Sequence, residues 1–187
     1  IPMSVQLSQG GGALPDRSLF ISFLSTGGTI DKIYFDAMSQ FEVGESQVQH
    51  ILSEGLVGFD YDIVQLFRKD SLELTDDDRA QLRKYIEGDD KSHYVITHGT
   101  DTMVDTGHAL EGLEGRRIVL TGALSPARFK TTDAVFNVGM AVAAVQTVDP
   151  GVYIAMSGQV FPASSARKNR EANRFEATVV PLPTNRN

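Results

Sequence analysis

The sequence predicts an α/β fold, an open and mostly parallel sheet with helices on both faces. Three observations carry this. Short apolar runs alternate with amphipathic stretches along the chain. The runs are apolar along their length rather than at every second residue, as strands covered on both faces are. Two runs end in loops that combine glycine with hydroxyls, Ser25-Thr26-Gly27-Gly28-Thr29-Ile30 and Ile96-Thr97-His98-Gly99-Thr100-Asp101-Thr102. In open sheets, ligands sit beyond the carboxyl ends of the strands.

The elements follow in order. Leu19 to Leu24 (LFISFL) is the first strand. Ser46 to Leu56 is a helix, with Ser46 placed to cap it and Val48, Ile51 and Leu52 on one face. Tyr61 to Phe67 (YDIVQLF) is the second strand. Thr75 to Ile86 opens like a capping box, with Asp78 three residues after Thr75. His93 to Thr97 is the third strand, Asp101 to Leu113 the helix after it, and Arg117 to Thr121 the fourth strand. Thr131 to Val148 is a helix rich in Ala and Val, and Val152 to Ser157 is the fifth strand. Phe175 to Val180 is a sixth strand at a sheet edge. The result is a three-layer, Rossmann-like or flavodoxin-like arrangement. No internal repeat or interior linker interrupts it.

With 187 residues the chain can bury one sizeable core. Residues 18–187 are expected to form a single α/β domain without a second, carboxyl-terminal one. Residues 1–17, with Gly10-Gly11-Gly12, are expected to be a flexible tail. A formal net charge of −7 argues against nucleic acid or an anionic membrane as partner. The chain has no cysteine, which excludes disulfides, thiolate catalysis and Cys-ligated metal. That fits a reducing compartment, and the cytoplasm is the expected location. No apolar run is long enough to cross a bilayer.

Each chemical feature also has an ordinary reading. Gly27-Gly28 after a strand can be a plain turn. Thr100 or Asp101 can merely cap the helix that follows. His98 alone is more often a hydrogen-bonded structural imidazole than a catalyst. Lys168 by itself reads as a solvated surface lysine, and Ser71 as a hydroxyl in a turn. The glycine loop lacks GxGxxG spacing, and no Lys-Ser/Thr pair follows it as in a P-loop, so nucleotide binding is not expected. His50, His93, His98 and His108 lack metal-ligand spacing. Neither a metal nor another cofactor is expected.

Taken together and in this order, the two loops resemble the signatures of the L-asparaginase/glutaminase-type amidohydrolases. Val95 to Met103 (VITHGTDTM) matches the second signature nearly letter for letter. Further likeness runs through Lys69-Asp70-Ser71-Leu72, Leu120 to Leu124 and Val160 to Lys168. The resemblance implies Thr29 as nucleophile, Thr100 and Asp101 as second hydroxyl and carboxylate, and Lys168 as catalytic lysine. It also implies a substrate-binding set. Ser71 holds the α-carboxylate, Asp101 the α-ammonium, and the Ala123 carbonyl the side-chain amide, with Gly99 beside them.

The substrate so implied is L-asparagine. Glutamine is one methylene longer, a difference worth only ~1–3 kcal/mol of discrimination. A homo-oligomer is also implied. Two departures concern single residues. The family's loop tyrosine falls on Phe41, which has no hydroxyl, so Tyr34, five residues after Thr29, is the expected proton relay. Leu72 stands where a substrate-contacting glutamine is common. A threonine hydroxyl needs a neighbour to take its proton during attack. The alternatives are an amino-acid-binding or regulatory module without catalysis, a glutaminase, or an amidase acting on a larger amide.

Overall fold

A computed structural model of the chain describes residues 19–35 and 40–178. The expected tail at 1–17 lies outside them. In chain order the strands are β1 (Phe20–Gly27), β2 (Lys32–Phe35), β3 (Gln40–Val43), β4 (Asp60–Lys69), β5 (His93–Thr97), β6 (Arg117–Thr121), β7 (Gly151–Met156), β8 (Gln159–Pro162), β9 (Ala166–Asn169) and β10 (Arg174–Ala177). The helices are α1 (Val48–Glu54), α2 (Asp76–Glu87), α3 (Met103–Ala109) and α4 (Ala134–Thr147).

A six-stranded sheet in the order β4-β1-β5-β6-β7-β8 forms the middle layer. All neighbouring pairs are parallel except β7 with β8. β1 is buried at every residue but its first, which explains why its sequence is apolar on both sides of the pleat. The alternation of side chains then divides the core. Phe23, Val95, Val119 and Ala155 pack with Val48 and Leu52 of α1 and Ala141 and Val145 of α4. Tyr94, Ile96, Ile118 and Ile154 pack with Leu82 and Ile86 of α2 and Met103 of α3. The three expected layers are therefore present, with two helices on each face.

Counted among the parallel strands alone, the sheet order is 2-1-3-4-5, a flavodoxin-like sequence whose direction reverses between β1 and β5. Both hydroxyl-bearing loops leave the sheet at that reversal.

One predicted strand is misplaced. The segment expected as a sixth sheet strand forms β10, which pairs antiparallel with β9 in a separate two-stranded sheet. Residues 179–180 of that expectation fall outside the described residues. The sheet edge is taken by β8 instead. Ser157 (φ 54°) and Gly158 (φ 83°) turn β7 straight back on itself, and a two-residue loop with both φ positive favours a tight hairpin. Phe175 is buried all the same, packed into the core on the α2–α3 side.

Helix ends shift for identifiable reasons. α4 begins at Ala134 rather than Thr131 because Asp133 turns back to the loop before it. Its carboxylate accepts the backbone N–H of Leu124 and of Ser125, each at 3.0 Å. The capping box at α2 is formed as expected: Thr75 Oγ1 accepts from Asp78 N (3.2 Å), and Asp78 Oδ2 accepts from Thr75 N (2.9 Å).

Candidate active site

The site is built by strand ends that touch through glycine. Gly27 and Gly28 have φ of 99° and 89°, a region side chains rarely tolerate. A Cβ on Gly27 would stand 2.5 Å from the Lys69 carbonyl oxygen at the end of β4. A Cβ on Gly28 would collide with the Gly99 N and Cα after β5. Gly28 N also donates to Lys69 O at 2.9 Å. The β1–β4 register jumps here, from Ser25 opposite Gln65 to Gly27 opposite Lys69, which brings residues 69–71 alongside the loop. Thr29, next in sequence, opens a short 3₁₀ turn (Thr29–Asp31) and is half-buried.

Gly99 closes the second contact. A Cβ there would lie 2.5 Å from Ser71 Cβ and 2.6 Å from its Oγ. Ser71 is buried in a turn of its own. Asp70 Oδ1 accepts from Leu72 N (3.3 Å), Glu73 Oε2 accepts from Asp70 N (3.2 Å), and Thr102 Oγ1 donates to Ser71 O (2.7 Å). Thr102 therefore ties two loops together rather than capping α3. On the other side, Ala123 is buried, and Ala127 N donates to Ile30 O at 3.0 Å, so the loop after β6 borders the Thr29 turn.

Lys168 comes from β9, far away in sequence. Its Nζ donates to Thr100 Oγ1 and to Asp101 Oδ1, both at 2.8 Å. The lysine side chain is only 12 % exposed and its carboxylate partner 34 %. A solvated surface lysine does not describe it. Arg170 Nη2 stands 4.0 Å from the same Asp101 oxygen. Hydroxyl, amine and carboxylate thus form one cluster, drawn from the β5 loop and the β9–β10 hairpin.

His98 is structural. It is fully buried, its Nδ1–H donates to Gly99 O (2.6 Å), and its Nε2 accepts from Thr106 Oγ1 (2.8 Å). A carbonyl only accepts, which fixes the proton on Nδ1. Burial disfavours the imidazolium and pushes the pKa down to about 4. The neutral ring therefore pins the Gly99 backbone.

Tyr34, the expected relay, is placed less directly. Tyr34 and Phe41 face each other across β2 and β3, with rings edge to face and centroids 5.6 Å apart. Both are about half exposed, and Phe41 also packs on Phe129 at 6.0 Å. Among the described residues no hydrogen bond joins Tyr34 to Thr29. Leu72 is exposed and, with Phe41, Asp70, Glu73, Asp101 and Lys32, lines a cavity of about 690 Å³.

Asp31 escapes a reading of the sequence. It is fully buried two residues from Thr29, and its carboxylate accepts from Ser25 Oγ (2.8 Å) and Gln47 N (2.9 Å). Burial outweighs both bonds and pushes its pKa up to about 6. Its carbonyl also accepts from Gly44 N (2.8 Å), so Asp31 closes the base of the β2–β3 hairpin. The only local signal is a carboxylate directly after the apolar Ile30. Among the described residues no three His, Asp or Glu side chains are grouped to hold a metal ion.

Known proteins resemble the chain over most of its described length. Residues 20–181 match the family model described as Asparaginase, N-terminal. The chain is 30% identical over 167 residues to L-asparaginase 2 of Escherichia coli, covering 83% of this chain and 47% of that protein. It is 29% identical over 161 residues to the probable periplasmic L-asparaginase of Haemophilus influenzae, covering 79% and 46%. The thermostable L-asparaginase of Thermococcus kodakarensis superposes with a TM-score of 0.73 at 25% identity, over 85% of this chain and 51% of that one. The chain spans about half the length of the relatives it matches.

Proposed function

The chain belongs to the asparaginase family, and from that premise we propose that it hydrolyses L-asparagine to L-aspartate and ammonia. The observation that carries the reading is Lys168 Nζ held at 2.8 Å from both Thr100 Oγ1 and Asp101 Oδ1, on a loop whose Gly99 packs against the residue before Thr29. Binding alone needs no such amine buried against a second hydroxyl.

The reaction is a double displacement. Ser71 holds the substrate's α-carboxylate, Asp101 its α-ammonium and the Ala123 carbonyl its side-chain amide. Thr29 Oγ attacks the amide carbon as its proton passes to a relay, for which Tyr34 is the candidate. The C–N bond breaks, the nitrogen takes a proton and ammonia leaves. Water, deprotonated through the Thr100–Lys168 pair, then cleaves the acyl-threonine ester to release aspartate. Backbone N–H groups at Gly99 and Thr100 are candidates for holding the oxyanion, each worth ~3 kcal/mol when well placed. The active form is a homo-oligomer. A cytoplasmic setting fits a chain without cysteine, and among the described residues no helix is long and apolar enough to cross a membrane.

A second reading, an amino-acid-binding module, is favoured by one observation: the Tyr34 ring packs on Phe41, and Phe41 has no hydroxyl of its own. Ammonia release from asparagine separates the two. The enzyme reading expects release by the intact chain and none from Thr29→Ala, with unchanged circular dichroism. Binding of asparagine without release would establish the module. In the same assay Tyr34→Phe should cut turnover far more than Phe41→Tyr changes it. A silent Tyr34→Phe would move the relay elsewhere.

A further inference from the structure

The ion pair between Lys32 and Asp70 joins the two turns that the proposed reaction must keep in register. Lys32 Nζ and Asp70 Oδ2 are 2.7 Å apart, and both side chains are less than a third exposed. Each end is already fixed by backbone. Lys32 N donates to Thr29 O and closes the Thr29 turn, and Lys32 lies opposite Val43 in the β2–β3 ladder. The other oxygen of Asp70 accepts from Leu72 N and closes the Ser71 turn. The pair also stands in the wall of the cavity that Asp101 and Leu72 line.

We propose that Lys32–Asp70 is a latch, a positioning pair that holds the Thr29 turn against the Ser71 turn. Most exposed ion pairs contribute little because two long side chains must be ordered to form them. Here the carboxylate is held by its own turn, and the lysine leaves a strand directly beside its partner. The hydrogen bond from Lys32 is the main reason that the Asp70 carboxyl lies below the usual range, against the opposing effect of burial. The backbone bond from Gly28 N to Lys69 O and the pairing of Gly27 with Lys69 already join the two segments at the ends of β1 and β4. The ion pair joins them again beyond the strand ends, between the Thr29 turn and the Ser71 turn.

The functional part of this inference rests on the asparaginase reading. The test therefore has a second readout that does not. Asp70→Asn keeps the acceptor for Leu72 N while removing the charge. Lys32→Met keeps the aliphatic stem. In amide hydrogen exchange, Asp70→Asn should speed exchange at Lys32, and Lys32→Met should speed it at Leu72 and Leu74, each by about fivefold, the scale of a partly buried ion pair. With asparagine as substrate, each variant should lower kcat/KM by a similar factor, the double variant no further than either single, and Lys32→Arg should restore it. If each variant loosens only its own turn, or the two effects multiply, the latch is wrong. Failure of the unaltered chain to release ammonia would overturn the asparaginase reading, and the exchange data would still decide the latch.

Discussion

Two buried residues beside the site, Asp31 and His98, titrate in opposite senses. Folded Asp31 has its pKa at about 6, above the ordinary 3.8, so it holds its proton more tightly than in the unfolded chain. Its contribution to stability is full below about pH 4 and is lost as pH rises toward 6. Folded His98 lies at about 4, below 6.5, so its contribution is full above about pH 6.5 and is lost as pH falls toward 4. Each effect is worth about 3 kcal/mol across nearly the same window, so in the intact chain they largely cancel. Urea unfolding between about pH 4 and pH 6.5 checks this. Asp31→Asn should leave stability rising with pH, and His98→Gln should leave it falling. Equal slopes in both variants would show that neither group titrates as its burial dictates. The sequence suggests a structural role for His98 but names the partners of neither residue. Asp31 draws on Ser25 and Gln47, and His98 on Thr106, and partners supplied by folding leave no local pattern.

At the scale of elements, legibility depends on burial. β1, β5, β6 and β7 are apolar because both of their faces are covered, and that composition marks them in the sequence. α2 is legible from Thr75 and Asp78 because a capping box is local. The β2–β3 hairpin is not, and of the β9–β10 hairpin only the β10 strand is, without its partner. Their strands are four residues long and mixed in polarity (KIYF, QFEV, ARKN, RFEA), and they exist through contacts made elsewhere. The candidate site divides the same way. Thr100 and Asp101 sit in one contiguous motif, whereas Lys168 is assignable only by resemblance, because it reaches them from β9. The meeting of the loops depends on Gly28, whose φ and lack of Cβ let it lie on Gly99. Gly28→Ala should abolish ammonia release and lower stability by about 1–3 kcal/mol through a strained backbone. Thermal unfolding and the ammonia assay read the two effects separately. Full activity in that variant would mean that the Gly28–Gly99 contact does not set the position of Thr29.

Over the whole molecule, the fold accounts for where the chemistry sits. A sheet ordered 2-1-3-4-5 leaves a crevice where its direction reverses, and here that place is between β1 and β5. β1 delivers Thr29 to one side, β5 delivers Thr100 and Asp101 to the other, and the β9–β10 hairpin carries Lys168 to them. Segments far apart along the chain thereby meet, Gly28 against Gly99 and Lys168 against Thr100 and Asp101. In the proposed reaction, Thr29 is the residue that carries the acyl group. Quenching the protein in acid during turnover of asparagine and locating the added mass by peptide mapping decides this. An aspartyl adduct is expected on the peptide containing Thr29, more of it in Lys168→Met because the ester is then cleaved more slowly, and none in Thr29→Ala. An adduct on another residue, or continued ammonia release from Thr29→Ala, would contradict it.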